Sequence, residues 1–166
     1  MKKAYLIVGV IFLIVLGIRL FFEFQTPHFS SDEAYYNIRQ IGHIKKTFLP
    51  IIIDHLSYGG KILYLPPLFY YILAVFSFTF KISLIGKVVP SLFASSVVII
   101  GYLLAGQITD NEPTKIFTSL FSGFMPIFFS ETLNSVSVNS LVLPLTFFVL
   151  YCMMRILNNE TNYILY

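Results

Sequence analysis

The feature that most constrains this chain is a series of five long apolar stretches. They cover residues 4–22, 62–80, 84–106, 116–130 and 136–154, and only 11% of the 166 residues are charged. The sequence is 57% hydrophobic with a mean hydropathy of +0.80, more apolar surface than a soluble domain of this length can bury. We therefore predict an integral membrane protein of the all-α class, a polytopic bundle of transmembrane helices.

The N-terminus has the features of an uncleaved first span. Lys2 and Lys3 precede the apolar stretch 4–22, which is too long for a signal peptide and is not followed by a small-residue cleavage site. The two lysines predict a cytoplasmic N-terminus, because cytoplasmic flanks carry the excess of basic residues. The net charge of +3, with no basic patch between aromatic residues, argues against nucleic acid as a partner.

The stretch 62–80 leaves two topologies open. Pro66 and Pro67 lie near its start, so only about a dozen residues can form an uninterrupted helix, which is the length of a re-entrant or interfacial segment. If 62–80 crosses the membrane, Asp110 and Glu131 fall on opposite sides. If it stays at the outer face, residues 23–83 form one extracytoplasmic loop with juxtamembrane helices. Charge counting does not separate the two topologies.

The second topology gives about four spans. They lie at 4–22 and near 84–106, 115–131 and 136–155, with outer-face amphipathic or re-entrant helices between the first two. All of residues 1–166 then form a single membrane module.

The polar segment after the first span contains the clearest helix signal. Ser30 and Glu33 have the S-x-x-E spacing of a capping box, and Asp32 falls in the first turn, where the helix dipole favours an anion. The apolar residues that follow recur on one stripe, which predicts an amphipathic helix lying in the membrane plane with this stripe among the lipid headgroups. The stripe consists of Ala34, Ile38, Ile41, Ile44 and Phe48.

Each polar candidate has both a structural and a functional interpretation. Asp32 and Glu33 serve either as capping residues alone or as groups of an active site. Glu131 either caps a span at the interface or faces a polar cavity, since a carboxylate in lipid costs about 2.5–3.5 kcal/mol. Lys87 is either a snorkelling anchor or an anion-binding group.

Three motifs in this order resemble the N-terminal part of the GT-C glycosyltransferases, in the superfamily of protein mannosyltransferases and aminoarabinose transferases. The motifs are SSDEAYYNIRQIG (30–42), LPPLFYYILAVF (65–76) and KVVPSLFASSVVIIGYLLAGQ (87–107). The last compares with the family's usual Arg-x-x-Ser-Ala pattern before a long span, and Lys87 stands where the family has arginine. The resemblance extends over nearly the whole chain.

The resemblance implies transfer of a sugar from a polyprenyl-phosphate donor to an acceptor hydroxyl, with inversion at the anomeric carbon. Asp32 is then the general base, Glu33 its partner and Lys87 the contact to the donor phosphate. The resemblance implies no fixed cofactor, although some members use a divalent metal at the acidic pair, which makes a divalent metal a candidate. Asn139 stands where many members carry a further acidic residue, and Glu131 is its candidate substitute. The candidate cavity-lining residues are Glu131, Asn139, His55, Tyr35 and Tyr36.

The resemblance also bears on location and completeness. It favours the four-span topology in the plasma membrane, with both termini inside and surrounding membrane lipids as contacts. Members of the family are longer, which predicts that this chain is a truncated module completed by a missing C-terminal part or a partner subunit. The alternative is a non-catalytic membrane subunit or assembly factor, in which the Asp-Glu pair only caps a helix. A small transporter fragment, with Glu131 on a water path, is a third interpretation.

Overall fold

A computed structural model describes residues 2–54, 60–62 and 67–158, and this part of the chain is predominantly helical. A short antiparallel pair of strands, β1 (Ile53–Asp54) and β2 (Lys61–Ile62), sets Ile53 opposite Ile62. The all-α class is confirmed. The helices are α1 (Lys2–Phe24), α2 (Asp32–Thr47), α3 (Leu68–Ser77), α4 (Ile82–Ser95), α5 (Val97–Ala105), α6 (Glu112–Gly123), α7 (Pro126–Thr132) and α8 (Asn139–Leu157).

Among the described residues, three helices are long and apolar enough to cross a membrane. They cover Lys3–Phe24, Ile82–Ala105 and Asn139–Leu157, and the second consists of α4 and α5 joined through Ser96. By contrast, α3 has 10 residues, about 15 Å at 1.5 Å per residue, which is about half the thickness of the hydrocarbon layer.

Two groups of contacts identify the ends of the bundle. At one end, Arg19 on α1 donates a hydrogen bond from Nη1 to Thr132 Oγ1 on α7 at 2.8 Å. At the other, the rings of Tyr5 and Tyr102 meet edge to face at 5.7 Å, and Tyr102 donates to Glu112 at 3.0 Å. We call these the Arg19 end and the Tyr5 end. The pair α6 and α7 runs from the Tyr5 end to the Arg19 end, with a break before Pro126.

The segment between α1 and α4 begins and ends at the Arg19 end. Lys87, near the start of α4, donates from Nζ to the carbonyl oxygens of Glu23 and Thr26, where α1 finishes. Both α2 and α3 therefore belong to a connection that leaves and re-enters the bundle at the same end.

Small residues let α5 and α6 approach closely. A Cβ atom on Gly123 would lie 2.6 Å from Val98 Cγ2 and 2.9 Å from Val15 Cγ2, and one on Gly101 would lie 2.5 Å from Ser122 Oγ. Glycine at such contacts is a common means of packing membrane helices, because it allows the backbones to come together.

The prediction that the apolar stripe of α2 lies among lipid headgroups is wrong. Ala34, Ile41 and Ile44 are at most 2% exposed and pack in one core with Leu73 of α3 and Ile85 of α4. The helix is amphipathic as predicted, but α3 and α4 cover the part of its apolar face formed by Ala34, Ile41 and Ile44, while Ile38 remains half-buried. The fifth residue of the stripe, Phe48, lies beyond the helix end at φ 61° and is 68% exposed.

Candidate functional site

The first turn of α2 presents both predicted acidic residues at the surface of the protein. Asp32 and Glu33 are exposed, and within the described part of the chain neither carboxylate makes a hydrogen bond or an ion pair. Ser31 caps the helix, since its hydroxyl accepts a hydrogen bond from the Ala34 N–H at 3.2 Å. An exposed carboxylate at the start of a helix is stabilised by the helix dipole and stays open to an incoming ligand.

The predicted capping box of Ser30 and Glu33 is wrong, because Ser30 makes a different contact. Its hydroxyl donates to the carbonyl oxygens of Leu133 and Asn134 at 3.3 and 3.0 Å, and its N–H also donates to Asn134 O at 3.0 Å. Ser30 therefore joins the start of α2 to the turn between α7 and α8.

Asn134 is the centre of this junction. Its side-chain amide donates to Thr26 Oγ1 at 3.1 Å and to His28 O at 2.9 Å, and its backbone N–H donates to Glu23 Oε1 at 3.3 Å. The residue adopts a left-handed backbone conformation, with φ 54°, which asparagine tolerates better than most residues. One turn thus connects the end of α1, the start of α2 and the end of α7.

Lys87 is placed at the same end of the bundle, but its ammonium is already engaged. It is 5% exposed, and Nζ lies 2.5 Å from each of the carbonyl oxygens of Glu23 and Thr26. The rings of Phe24 and Phe29 lie 5.7 and 5.5 Å from the ammonium. Two of the three N–H donors are therefore used by backbone carbonyls, and the positive charge is held at a defined position.

Glu131 and Asn139 come together across the turn between α7 and α8. The Asn139 side-chain amide donates to Glu131 Oε2 at 3.4 Å, and both residues are exposed. The hydroxyl of Ser135 donates to the Glu131 carbonyl oxygen at 2.5 Å and so holds the backbone of the turn.

The two tyrosines of α2 have different partners. Tyr35 accepts a hydrogen bond from the Phe29 N–H at 3.3 Å, and Tyr36 accepts one from the Gln40 amide at 2.6 Å. A pocket of about 310 Å³ beside them is lined by Tyr35, Tyr36, Arg39 and Asp54, in which Arg39 and Asp54 form an ion pair at 2.7 Å. His55, the remaining predicted lining residue, lies outside the described residues.

A buried polar cluster beneath the junction was missed in the sequence. Arg19, Glu23, Ser91 and Thr132 are each at most 1% exposed. The Ser91 hydroxyl donates to Glu23 Oε1, while the Arg19 guanidinium donates to Thr132 and lies over the ring of Phe129 at 4.5 Å. The available signal was the spacing of Arg19 and Glu23, four residues and thus about one helical turn apart at the end of the apolar stretch 4–22.

The described ranges 2–54, 60–62 and 67–158 contain no set of side chains that could bind a metal ion. No three His, Cys, Asp or Glu side chains in them lie close enough together to hold an ion. Asp32 and Glu33 supply the two carboxylates that stand side by side at the start of α2, two fewer ligands than a typical tetrahedral site uses.

Comparison of the chain with protein-family models, with curated proteins and with solved structures finds no significant match.

Proposed function

We propose that this chain is the N-terminal module of a membrane glycosyltransferase that moves a sugar from a polyprenyl-phosphate donor to an acceptor hydroxyl. The observation that carries the proposal is the junction at Asn134. It connects the start of α2, where Asp32 and Glu33 are exposed, with Glu23, whose carbonyl oxygen binds the Lys87 ammonium. A base and a cation at one end of a membrane bundle are what such a transfer requires.

The proposed step involves one bond formed and one bond broken. The acceptor hydroxyl oxygen bonds to the anomeric carbon, and the bond between that carbon and the phosphate oxygen breaks. Asp32 takes the hydroxyl proton as general base, with Glu33 beside it. The lipid phosphate leaves with the bonding electrons, and the positive charge of Lys87 stabilises it. Attack opposite to the leaving group inverts the anomeric carbon.

The membrane topology is part of the proposal. We infer a fourth span from α6 and α7 together, about 30 Å long at 1.5 Å per residue, because they connect the Tyr5 end with the Arg19 end. The N-terminus and the Tyr5 end then lie in the cytoplasm, and residues 23–83 lie outside the plasma membrane. The short length of α3 supports this arrangement over one in which 62–80 crosses.

The test measures release of polyprenyl phosphate, which does not depend on knowing the acceptor. The chain is expressed in membranes, together with any further segment or subunit that its genetic context supplies, and given polyprenyl-phosphate sugars of several kinds. Asp32→Ala should abolish release, because the acceptor hydroxyl loses its base. Asp110→Asn, which changes an exposed carboxylate at the Tyr5 end, is the matched control and should leave release unchanged. Wild-type release by a stably expressed Asp32→Ala variant would refute the assignment.

A second candidate is a non-catalytic membrane subunit or assembly factor. The engagement of Lys87 favours it, since backbone carbonyls already use two of its donors. On this hypothesis Asp32→Asn lowers stability slightly through the lost helix-dipole interaction, by about 0.3–1 kcal/mol, and leaves transfer by any partner unchanged. The release measurement on the Asp32 variants therefore distinguishes the two candidates.

A further inference from the structure

A large groove lies beside the C-terminal half of α2, away from the acidic residues at its start. Its volume is about 1110 Å³, and it is bounded by α2, the segment 49–54 and the start of α4. Isoleucines supply its apolar surface, including Ile38, Ile52, Ile53 and Ile82. The groove is thus open, and most of its surface is apolar.

The apolar residues around the groove need a cover that the described part of the chain does not supply. Phe48, Leu49 and Ile52 are 68%, 65% and 56% exposed, and they follow α2 instead of lying in one of the three helices long enough to span a membrane. Contiguous exposed apolar surface of this kind marks a site of contact with protein or lipid.

The charges at this end of α2 select the kind of partner. Arg39, Lys45 and Lys46 line the groove with Asp54 as the one acidic residue among its described lining. Arg39 is paired with Asp54, and Lys45 donates to the Ser77 carbonyl oxygen at 2.5 Å.

Lys46 is exposed and makes no hydrogen bond or ion pair to the described residues. An aliphatic groove with an available ammonium at its edge complements an anionic lipid, whose chain is apolar and whose phosphate is negative.

We propose that this groove binds an anionic phospholipid of the surrounding membrane. One acyl chain lies along Ile38, Ile52 and Ile82, and the headgroup phosphate meets the Lys46 ammonium. The exposed ring of Phe78, in the loop before α4, stacks on the ring of Phe48 with centroids 6.2 Å apart and adds apolar surface there. This site is independent of the proposed sugar transfer.

The experiment measures lipid retained by the intact chain after purification in detergent. Native mass spectrometry compares added phosphatidylglycerol with phosphatidylcholine of the same acyl chains. Lys46→Gln should weaken retention of phosphatidylglycerol about fivefold, the effect of one lysine at an anionic surface, and leave phosphatidylcholine unchanged. Lys3→Gln, an equal change of charge at the Tyr5 end of the bundle, is the matched control. It should have no effect on the retention of either lipid.

A second variant tests the apolar part of the groove. Ile52→Ser should weaken retention of both lipids, because it removes apolar contact with the acyl chain whatever the headgroup. Circular dichroism confirms that each variant keeps its helix content. Equal retention of phosphatidylglycerol by the wild type and Lys46→Gln would overturn the proposal. The proposal would also be overturned if the wild type carried a bound second copy of the chain and Ile52→Ser released that copy without any loss of lipid.

Discussion

The Arg19 end and the Tyr5 end of the bundle both carry charged groups, but the charged groups of the Arg19 end are more deeply buried. At the Arg19 end, Arg19, Glu23 and Lys87 are at most 5% exposed and bind hydroxyls and backbone carbonyls. At the Tyr5 end, Glu112 and Lys115 form an ion pair at 3.4 Å beside a pocket of about 570 Å³, and their side chains are 40% and 13% exposed.

This difference in burial determines how much stability is lost when one member of a charged pair is removed. A buried charge that loses its partner keeps its full desolvation cost, whereas water replaces the partner of an exposed charge. We therefore expect stability to depend on the Arg19 end far more than on the Tyr5 end.

The largest expected effect comes from Glu23. Glu23→Ala should lower the free energy of unfolding by about 3–5 kcal/mol, because Arg19 and Lys87 remain buried without a nearby carboxylate and the Ser91 hydroxyl loses its acceptor. Unfolding in detergent micelles, followed by circular dichroism, measures this loss. Glu112→Ala, the same substitution at the Tyr5 end, should cost only a small fraction of it. Equal losses at the two ends would remove the distinction between them.

A smaller effect is expected from the helix contact one turn below the buried cluster. Gly123→Ala should lower the free energy of unfolding by about 1–3 kcal/mol, because the added methyl group would lie within 3 Å of Val15 and Val98 side chains. Gly17→Ala is the control, since a Cβ there meets no atom within 4 Å. The same unfolding measurement compares the two. If Gly17→Ala lowers the free energy of unfolding as much as Gly123→Ala does, the close approach of α1, α5 and α6 is not the cause of the loss.

The smallest expected effect on the free energy of unfolding comes from Tyr70 on α3, and it depends on pH. Burial, with neighbouring Tyr36 and Glu33, raises the pKa of Tyr70 to about 12 from 10.0. Since the folded-state pKa lies above the unfolded value, this contribution to stability is complete below about pH 10 and is lost as the pH rises toward about 12. Tyr70→Phe removes this dependence, and it costs about 1 kcal/mol at neutral pH because the hydrogen bond to Asn37 Oδ1 is lost.

Unfolding free energies measured at several alkaline pH values check the Tyr70 prediction. The wild type should lose stability with rising pH more steeply than Tyr70→Phe, so that the two curves converge. Parallel curves would show that Tyr70 ionises in the folded state as it does in water. Tyr71→Phe is a suitable control, because the Tyr71 hydroxyl is bound at the exposed carbonyl of Phe48.

Local patterns predicted the helices well but not their contacts. The periodicity of residues 34–48 predicted the amphipathic helix that forms as α2, since that signal depends only on neighbouring residues. The same pattern does not say whether lipid or protein covers the apolar face. Ser30 and Ser31 are also equivalent as helix caps by residue type. Only the position of Asn134, far along the chain, assigns Ser30 to the junction and Ser31 to the cap.

The candidate site likewise contains residues that the sequence predicted and contacts that only the structure shows. Asp32 and Glu33 were found because adjacent acidic residues in an apolar sequence are visible locally, and the structure leaves both exposed at the start of α2. The contact of Arg19 with Thr132 joins residues 113 positions apart, so no local pattern contains it.

The sequence by itself determined that this chain is helical and apolar enough to contain membrane-spanning helices, because hydropathy and helical period are properties of short segments. The tertiary structure decided which helices cover α2, where Lys87 places its charge and which polar groups meet at the Arg19 end. Those outcomes depend on the packing of distant segments, where the cost of burying an unpaired charge selects one arrangement of partners.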